Sequence, residues 1–233
     1  MTPDPLESLS GPAAQVVRDV ARYGLVTAKA EQRLRFPDLT EDALRKLLAR
    51  MTERGWLVRH PLHGQEPYFV LGPPALAALG LRRPTKALGH QALLEHYAVL
   101  LACARRGCDV FTEDEFRARF PDLSEPGLSA KNLFRDATAD PPRLGWFVVD
   151  HDKLSSRMVG KVGRRVARLL ASDRPGLHRL VLAGGFSAHV VTASEGKRQN
   201  LQAAFARKPL RNVAVTVEAH PDDLEDFFLV NRR

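Results

Sequence analysis

The sequence predicts an α+β chain, with helices and a strand hairpin in its N-terminal third and a small α/β layer toward its C-terminus. Three observations carry this. Apolar residues recur at helical spacing over 12–23 and 41–54, then give way to two β-rich runs, "WLVRHPL" and "PYFVLG", around a turn-like "HGQE". Beyond Gly145 strand-like and helix-like runs alternate, which argues an α/β layer. One line is also written twice, as "RLRFPDLTEDAL" at 33–44 and "RARFPDLSEPGL" at 117–128, identical at eight of twelve positions and 84 residues apart. Ala21-Arg22-Tyr23-Gly24 and Ala104-Arg105-Arg106-Gly107 precede the two lines. Gly55-Trp56-Leu57-Val58 and Gly145-Trp146-Phe147-Val148 follow them, so an internal repeat is expected.

Along the chain, residues 12–23 set Ala14, Val17, Val20 and Ala21 on one helical face, stopped by Gly24. A short helix from Thr27 follows, broken where Pro37 disfavours helix at Phe36. Thr40 then caps a third helix. Glu41 and Asp42 in its first turn suit the helix dipole, Leu44, Leu47, Leu48 and Met51 form its buried stripe, and Gly55 ends it. Three helices followed by a hairpin is the order of a winged helix-turn-helix. Ala43-Leu44-x-x-Leu47-Leu48-x-x-Met51-x-x-x-Gly55-Trp56-Leu57-Val58-Arg59 resembles that superfamily.

The expected layout is a winged helix-turn-helix domain over 10–81, a basic linker over 82–90, and a remainder over 91–233. That remainder opens with a long helix, "QALLEHYAVLLACARR". A second helix-turn-helix in degenerate form is expected around the second copy of the line, because Pro126-Gly127 fall where its third helix would begin. Then come a buried strand "GWFVVD" and a helix over 153–172 with Leu154, Met158, Val162, Val166 and Leu169 inward. Strands "HRLVLAG" and "SAHVVTA", a helix "EGKRQNLQAAFARK", a strand "RNVAVTVEA" and a closing helix "HPDDLEDFFLV" complete it.

Thirty-five Lys and Arg against 27 Asp and Glu give a net charge of +8, which favours an anionic partner, nucleic acid before membrane. No apolar run approaches a membrane span, and the N-terminus reads as neither a signal nor a transit peptide, so a cytoplasmic protein is expected. Cys103 and Cys108 read as free thiols rather than metal ligands.

Arg45, Lys46, Ala49 and Arg50 lie off the apolar stripe of the third helix, placed to meet phosphates or base edges of double-stranded DNA. Arg59, His60 and His63 in the hairpin are candidate backbone contacts. Asp42 and Glu53 share that exposed side and oppose such contact, so a solvated or protein-docking face is the alternative. Farther on, Arg157, Lys161, Arg164 and Arg168 fall within roughly 60° of one another on a helix, matching a track of phosphates or a solvated edge.

Most of the chain resembles the replication-relaxation proteins of plasmids and mobile elements. The resemblance rests on Tyr68-Phe69-Val70-Leu71-Gly72 leading to Leu79-Gly80-Leu81, on His90, Asp136-Ala137 and Trp146-Phe147-Val148-Val149-Asp150-His151-Asp152. Lys161 and Val190-Val191-Thr192-Ala193-Ser194-Glu195-Gly196-Lys197-Arg198 with Leu201 extend it. It implies a restriction-endonuclease-like second domain and DNA-linked work in replication or its transcriptional control, without fixing a reaction. A nuclease of that kind needs Mg²⁺ held by two acids, with a lysine beside the attacking water. The residues available are Asp136 or Asp140, then Asp150 and Asp152, then Lys153 or Lys161, and the usual acid-x-Lys tripeptide is absent. The favoured expectation is a DNA-binding protein with no cofactor. Mg²⁺ enters only under the nuclease alternative, a protein-interaction module is the other alternative, and a homodimer is left open.

Overall fold

The computed structural model describes residues 6, 9, 11–62, 65–83, 85–123, 130–150, 154–171, 175–220 and 224, leaving aside the side chains of 65 and 66. These residues form a mixed α and β chain, as the sequence predicts. The chain divides into two compact units, Met1–Gly107 and Cys108–Arg233.

The first unit runs α1 (Gly11–Tyr23), α2 (Ala28–Leu34), α3 (Glu41–Glu53), β1 (Leu57–Leu62), β2 (Gln65–Leu71), α4 (Pro73–Ala78) and α5 (His90–Arg106). α2 and α3 each start where a side chain satisfies an orphan amide. Thr27 Oγ1 accepts from Ala30 N, and Thr40 Oγ1 from Ala43 N, both at 3.2 Å. Val16, Val17 and Val20 of α1 and Leu44, Leu48 and Met51 of α3 close on Leu57, Phe69 and Leu71 of the antiparallel hairpin β1–β2. Between α1 and α2, Val26 bridges Phe69, so the spatial order is Val26, β2, β1.

The expected boundary at 82–90 moves to Gly107, because the segment after α4 is fastened to the first unit. His60 Nε2 lies 2.9 Å from the Thr85 carbonyl oxygen, the Tyr68 hydroxyl accepts from Leu88 N at 2.8 Å, and Arg83 donates to the Ala21 carbonyl at 2.9 Å. α5 then packs on α1 and α2. Gly24 makes this approach possible. Its φ of +84° is left-handed, and a Cβ there would lie 2.8 Å from the His96 ring of α5.

The second unit runs α6 (Glu113–Arg119), β3 (Leu133–Asp136), β4 (Arg143–Val149), α7 (Ser155–Leu170), α8 (Pro175–Leu182), β5 (Phe186–Thr192), α9 (Glu195–Arg207) and β6 (Val213–Ala219). Its sheet has the order β3-β4-β5-β6, with β3 antiparallel to β4 and the remaining pairs parallel. Leu144, Val148, Phe186, Ala188, Val190, Val213 and Val217 point to one face, where Met158, Val162, Val166 and Leu169 of α7 meet Leu201 and Phe205 of α9. The expected strand at "HRLVLAG" is helix α8. Its short apolar run fits either period, and Pro175 at its start with Leu177 and Val181 buried one turn apart decides for helix. Leu154 is 56% exposed and precedes α7 instead of lining the core. Strand β3, four residues long, was too short to show any period. The closing helix expected from His220 onward lies outside the described residues apart from His220 and Leu224.

The repeat is structural in its opening, up to the turn that follows its short helix. Val26 and Val110, 84 apart, each make an isolated antiparallel bridge, to Phe69 and Phe134. In both copies a short helix ends on the same turn, Leu39 N to Phe36 O and Leu123 N to Phe120 O, each 3.0 Å. β3 begins at Leu133, so the chain from Leu123 to β3 is shorter than the 13 residues of α3. A counterpart of α3 at its full length does not fit there, and residues 124–129, with the Pro126-Gly127 where the degenerate second helix-turn-helix would begin its third helix, lie outside the described residues. The Gly-Trp fragments are not equivalent either. Gly55-Trp56 precedes the first strand of its hairpin, whereas Gly145-Trp146 lies within the second strand of the β3–β4 pair.

The two copies also differ in what their shared arginine does. Arg35 donates to Asp19 from Nε and Nη2 at 2.9–3.2 Å, and Asp19, fully buried on α1, also accepts from Gln15 at 2.8 Å. Its counterpart Arg119 is exposed, 6.0 Å from the Phe120 ring. Removing one partner of a buried ion pair costs about 3 kcal/mol or more, while an exposed substitution stays near 0.5 kcal/mol. Asp19→Ala should therefore destabilise the protein by that larger amount in urea unfolding, and Arg119→Ala should be close to neutral. Equal effects would refute the distinction.

Candidate functional site

The structure places the predicted site residues in three groups. On α3, Arg45, Lys46, Ala49 and Arg50 are all exposed. Two of the cations are neutralised within the helix: Arg45 pairs with Glu41, and Lys46 with Asp42 at 2.7 Å. The Lys46 hydrogen bond and charge hold the Asp42 carboxyl below its usual range. Arg50 has no acidic partner among the described residues. Arg59 of β1 is exposed, and a cleft of about 640 Å³ between α3 and the hairpin is lined by Arg45, Ala49, Thr52, Glu53, Arg59 and Phe69. The cleft thus gathers three residues of the predicted contact set with one opposing acid. His60 is committed elsewhere, to the Thr85 carbonyl and a ring contact with Tyr68 at 5.3 Å, and His63 lies outside the described residues.

The second group is on α7, where Arg157, Lys161, Arg164 and Arg168 are exposed and none has an acidic partner among the described residues. Arg165 on the flank is half-buried, 5.4 Å above the Trp146 ring. Burial, with the neighbouring Arg168 charge, pulls its guanidinium below the usual range.

The third group is the set of acids proposed for a metal. Asp136 pairs across the sheet with Arg143, seven residues before Asp150. The Asp136 side chain, however, reaches Ser187 and His189, which pair with Gly145 and Phe147, so at roughly 3.3 Å per residue the two carboxylates sit on the order of 10–15 Å apart along the strand direction. Asp150 is buried beside Lys197 Nζ at 3.6 Å and Thr192 Oγ1 at 3.5 Å, so its amine neighbour is on α9 and is not Lys161. Asp140 is exposed in the β3–β4 connection. Asp152 and Lys153 lie outside the described residues, and among those described no group of three His, Cys, Asp or Glu could hold a metal ion.

Asp136 has a different setting, one that the sequence pattern did not reveal. Its Oδ2 accepts from Ser187 Oγ at 2.8 Å and lies 2.9 Å from His189 Nε2, while Oδ1 accepts from Thr138 Oγ1 at 2.5 Å and Thr138 N at 3.2 Å. Ser187 Oγ is also 3.1 Å from the same His189 nitrogen, and His189 Nδ1 is 3.9 Å from Glu218 Oε1. Asp136 reaches from β3 to β5 across β4, and this crossing falls where β4 carries Gly145. A Cβ there would lie 2.4 Å from the Phe134 ring, which stacks on Phe147 at 4.1 Å and meets His189 edge-on at 5.0 Å. The signal in the sequence was faint: two polar residues, i and i+2, in an otherwise apolar strand.

This cluster is a lock and not a nucleophile relay. A Ser–His–acid relay uses one imidazole nitrogen for each partner, whereas Ser187 and Asp136 meet the same one. Asp136, Ser187 and His189 are 3%, 1% and 2% exposed, out of reach of a substrate. No family model and no curated protein matches the chain.

Burial pushes the Asp136 carboxyl up. The Thr138 and Ser187 hydrogen bonds, with the His189 charge, outweigh that and bring it down to about 2. Held below its unfolded value of 3.8, the group contributes about 2 kcal/mol that is complete above roughly pH 4 and lost as pH falls toward 2. The stability difference between wild type and Asp136→Asn should shrink by about that amount between pH 5 and pH 2.5. Urea unfolding followed by Trp146 fluorescence in a Trp56→Phe background measures it. A difference independent of pH would show that the cluster does not hold Asp136 as an anion.

Proposed function

We propose that the protein binds duplex DNA through its first unit, by docking dominated by phosphate contacts, in plasmid or mobile-element replication or its transcriptional control. The cleft between α3 and the hairpin carries this reading, because it brings Arg45, Ala49 and Arg59 together, with Arg50 on the same outer face of α3. The order α1, Val26 bridge, α2, α3, β1, β2 supports reading the unit as a winged helix-turn-helix, with α3 as the helix that enters a major groove. Ala49 leaves room for close approach, and the arginines reach phosphate oxygens or guanine edges.

Two features limit base reading. Glu53 lines the same cleft, and Arg45 and Lys46 must exchange Glu41 and Asp42 for phosphate before they contribute. Binding is therefore governed by charge and released by salt. Occupying a promoter or an origin in this way regulates it sterically, with no bond made or broken. The separation of Asp136 from Asp150 gives the nuclease alternative no support.

Fluorescence anisotropy on a random-sequence duplex across a salt series tests the reading. Arg45→Ala/Arg50→Ala/Arg59→Ala should weaken binding about tenfold or more and make the slope of log affinity against log salt shallower by about 2 to 3. Glu41→Gln/Asp42→Asn, which frees the α3 cations, should strengthen it severalfold. If the triple variant binds as the wild type does, the α3 face does not meet DNA.

A further inference from the structure

Charge is unevenly distributed along this chain. Residues 154–217 hold twelve Lys and Arg against two acids, Asp173 and Glu195, an excess larger than the net +8 of the whole protein. Glu195 is taken up by Arg198 one turn later. α7 contains no acid at all. Its four exposed cations repel one another at spacings of three and four residues, an arrangement that destabilises an isolated helix. α3 shows how a solvated face reduces that cost, by setting an acid four residues before Arg45 and before Lys46.

The row extends beyond α7. Leu210, in the loop after α9, lies against Gly163, and on either side of it Arg207, Lys208 and Arg211 are exposed with no acidic partner among the described residues.

From this geometry we infer that the second unit carries its own nucleic-acid backbone surface, formed by Arg157, Lys161, Arg164 and Arg168 and continued by Arg207, Lys208 and Arg211. The inference rests on the reading that the protein binds DNA, and it adds a second site that follows phosphates without reading bases. The dimensions fit. From Arg157 to Arg168 the helix rises about 16 Å, so four cations meet a strand that carries one charge per roughly 3.4 Å. The helix surface beside the row is also suited to a rigid polyanion. At its two ends this flank carries only small exposed side chains, Ser156 and Ala167, while between them the Arg164 guanidinium lies over Gly160 and Leu210 against Gly163. The same flank argues against an anionic membrane as the partner, since a surface-seated helix inserts large apolar groups beside its cations.

The test uses the full chain with a random-sequence duplex and, separately, phosphatidylserine vesicles. The variants are Arg157→Gln/Lys161→Gln/Arg164→Gln/Arg168→Gln and Arg207→Gln/Lys208→Gln/Arg211→Gln, beside the first-unit triple variant. The α7 variant should make the salt slope shallower by about 3 to 4 and lower duplex affinity at least tenfold, as expected for four lost phosphate contacts. Its melting temperature should be no lower than that of the wild type, because like-charge repulsion is relieved, so weakened binding is not misfolding. The α9 variant should act in the same direction with a smaller change in slope.

An α7 variant that keeps both slope and affinity, while the first-unit variant loses them, overturns the inference and leaves the first-unit reading standing. Wild-type binding to vesicles but not to duplex overturns the inference in favour of a membrane surface. Wild-type binding to neither removes the DNA reading and this surface with it.

Discussion

A proline placed after a phenylalanine governs where both units turn. Pro37 and Pro121 remove the helical option from Phe36 and Phe120, so α2 and α6 stop within a residue or two of them. The amide of a leucine three residues after the phenylalanine then closes the same turn in each copy. Beyond that turn the two copies part, because the surroundings of the turn differ. In the first copy it is held by polar bonds: Gln32 donates to the Leu39 carbonyl and Arg35 to buried Asp19. In the second the residue matching Gln32 is Phe116, which packs on Phe111 and Phe120 at 6.1 and 5.4 Å, and Leu123 is buried. One local signal thus serves an ion-paired helix junction in one unit and an aromatic plug under a sheet in the other.

This explains how much of the molecule was legible in the sequence. Helices with a clear apolar stripe and an end signal, such as α1 before Gly24 and α3 after Thr40, announce themselves because their periodicity and end signals agree. The Arg35–Asp19 pair could not be read, since a buried acid at 19 looks like one more polar position on an amphipathic helix. The Asp136–Ser187–His189 lock was hidden for a related reason. Its members come from strands that are not neighbours, and they meet only because Gly145 leaves the intervening strand bare. Asp136 was legible as a notable acid, but its chemistry depends on partners 51 and 53 positions away. The α7 row, by contrast, was legible by angle alone. What the sequence could not show was that the four side chains are exposed and lack acidic partners among the described residues.

Electrostatics separates the two surfaces by the neighbours of their cations and not by the number of those cations. On α3 every candidate contact except Arg50 sits near a carboxylate: Glu41 and Asp42 in the helix, Glu53 in the cleft it shares with Arg59. A polyanion approaching that face displaces existing partners, so its net gain is an exchange of one ion pair for another. On α7 no such exchange would be needed, and under the proposed reading each phosphate contact would release counterions and relieve repulsion among the arginines at once. It follows that the two faces would differ in kind. α7 would supply affinity indifferent to sequence, while α3, where acids penalise any poorly fitted phosphate, would supply whatever discrimination the protein has.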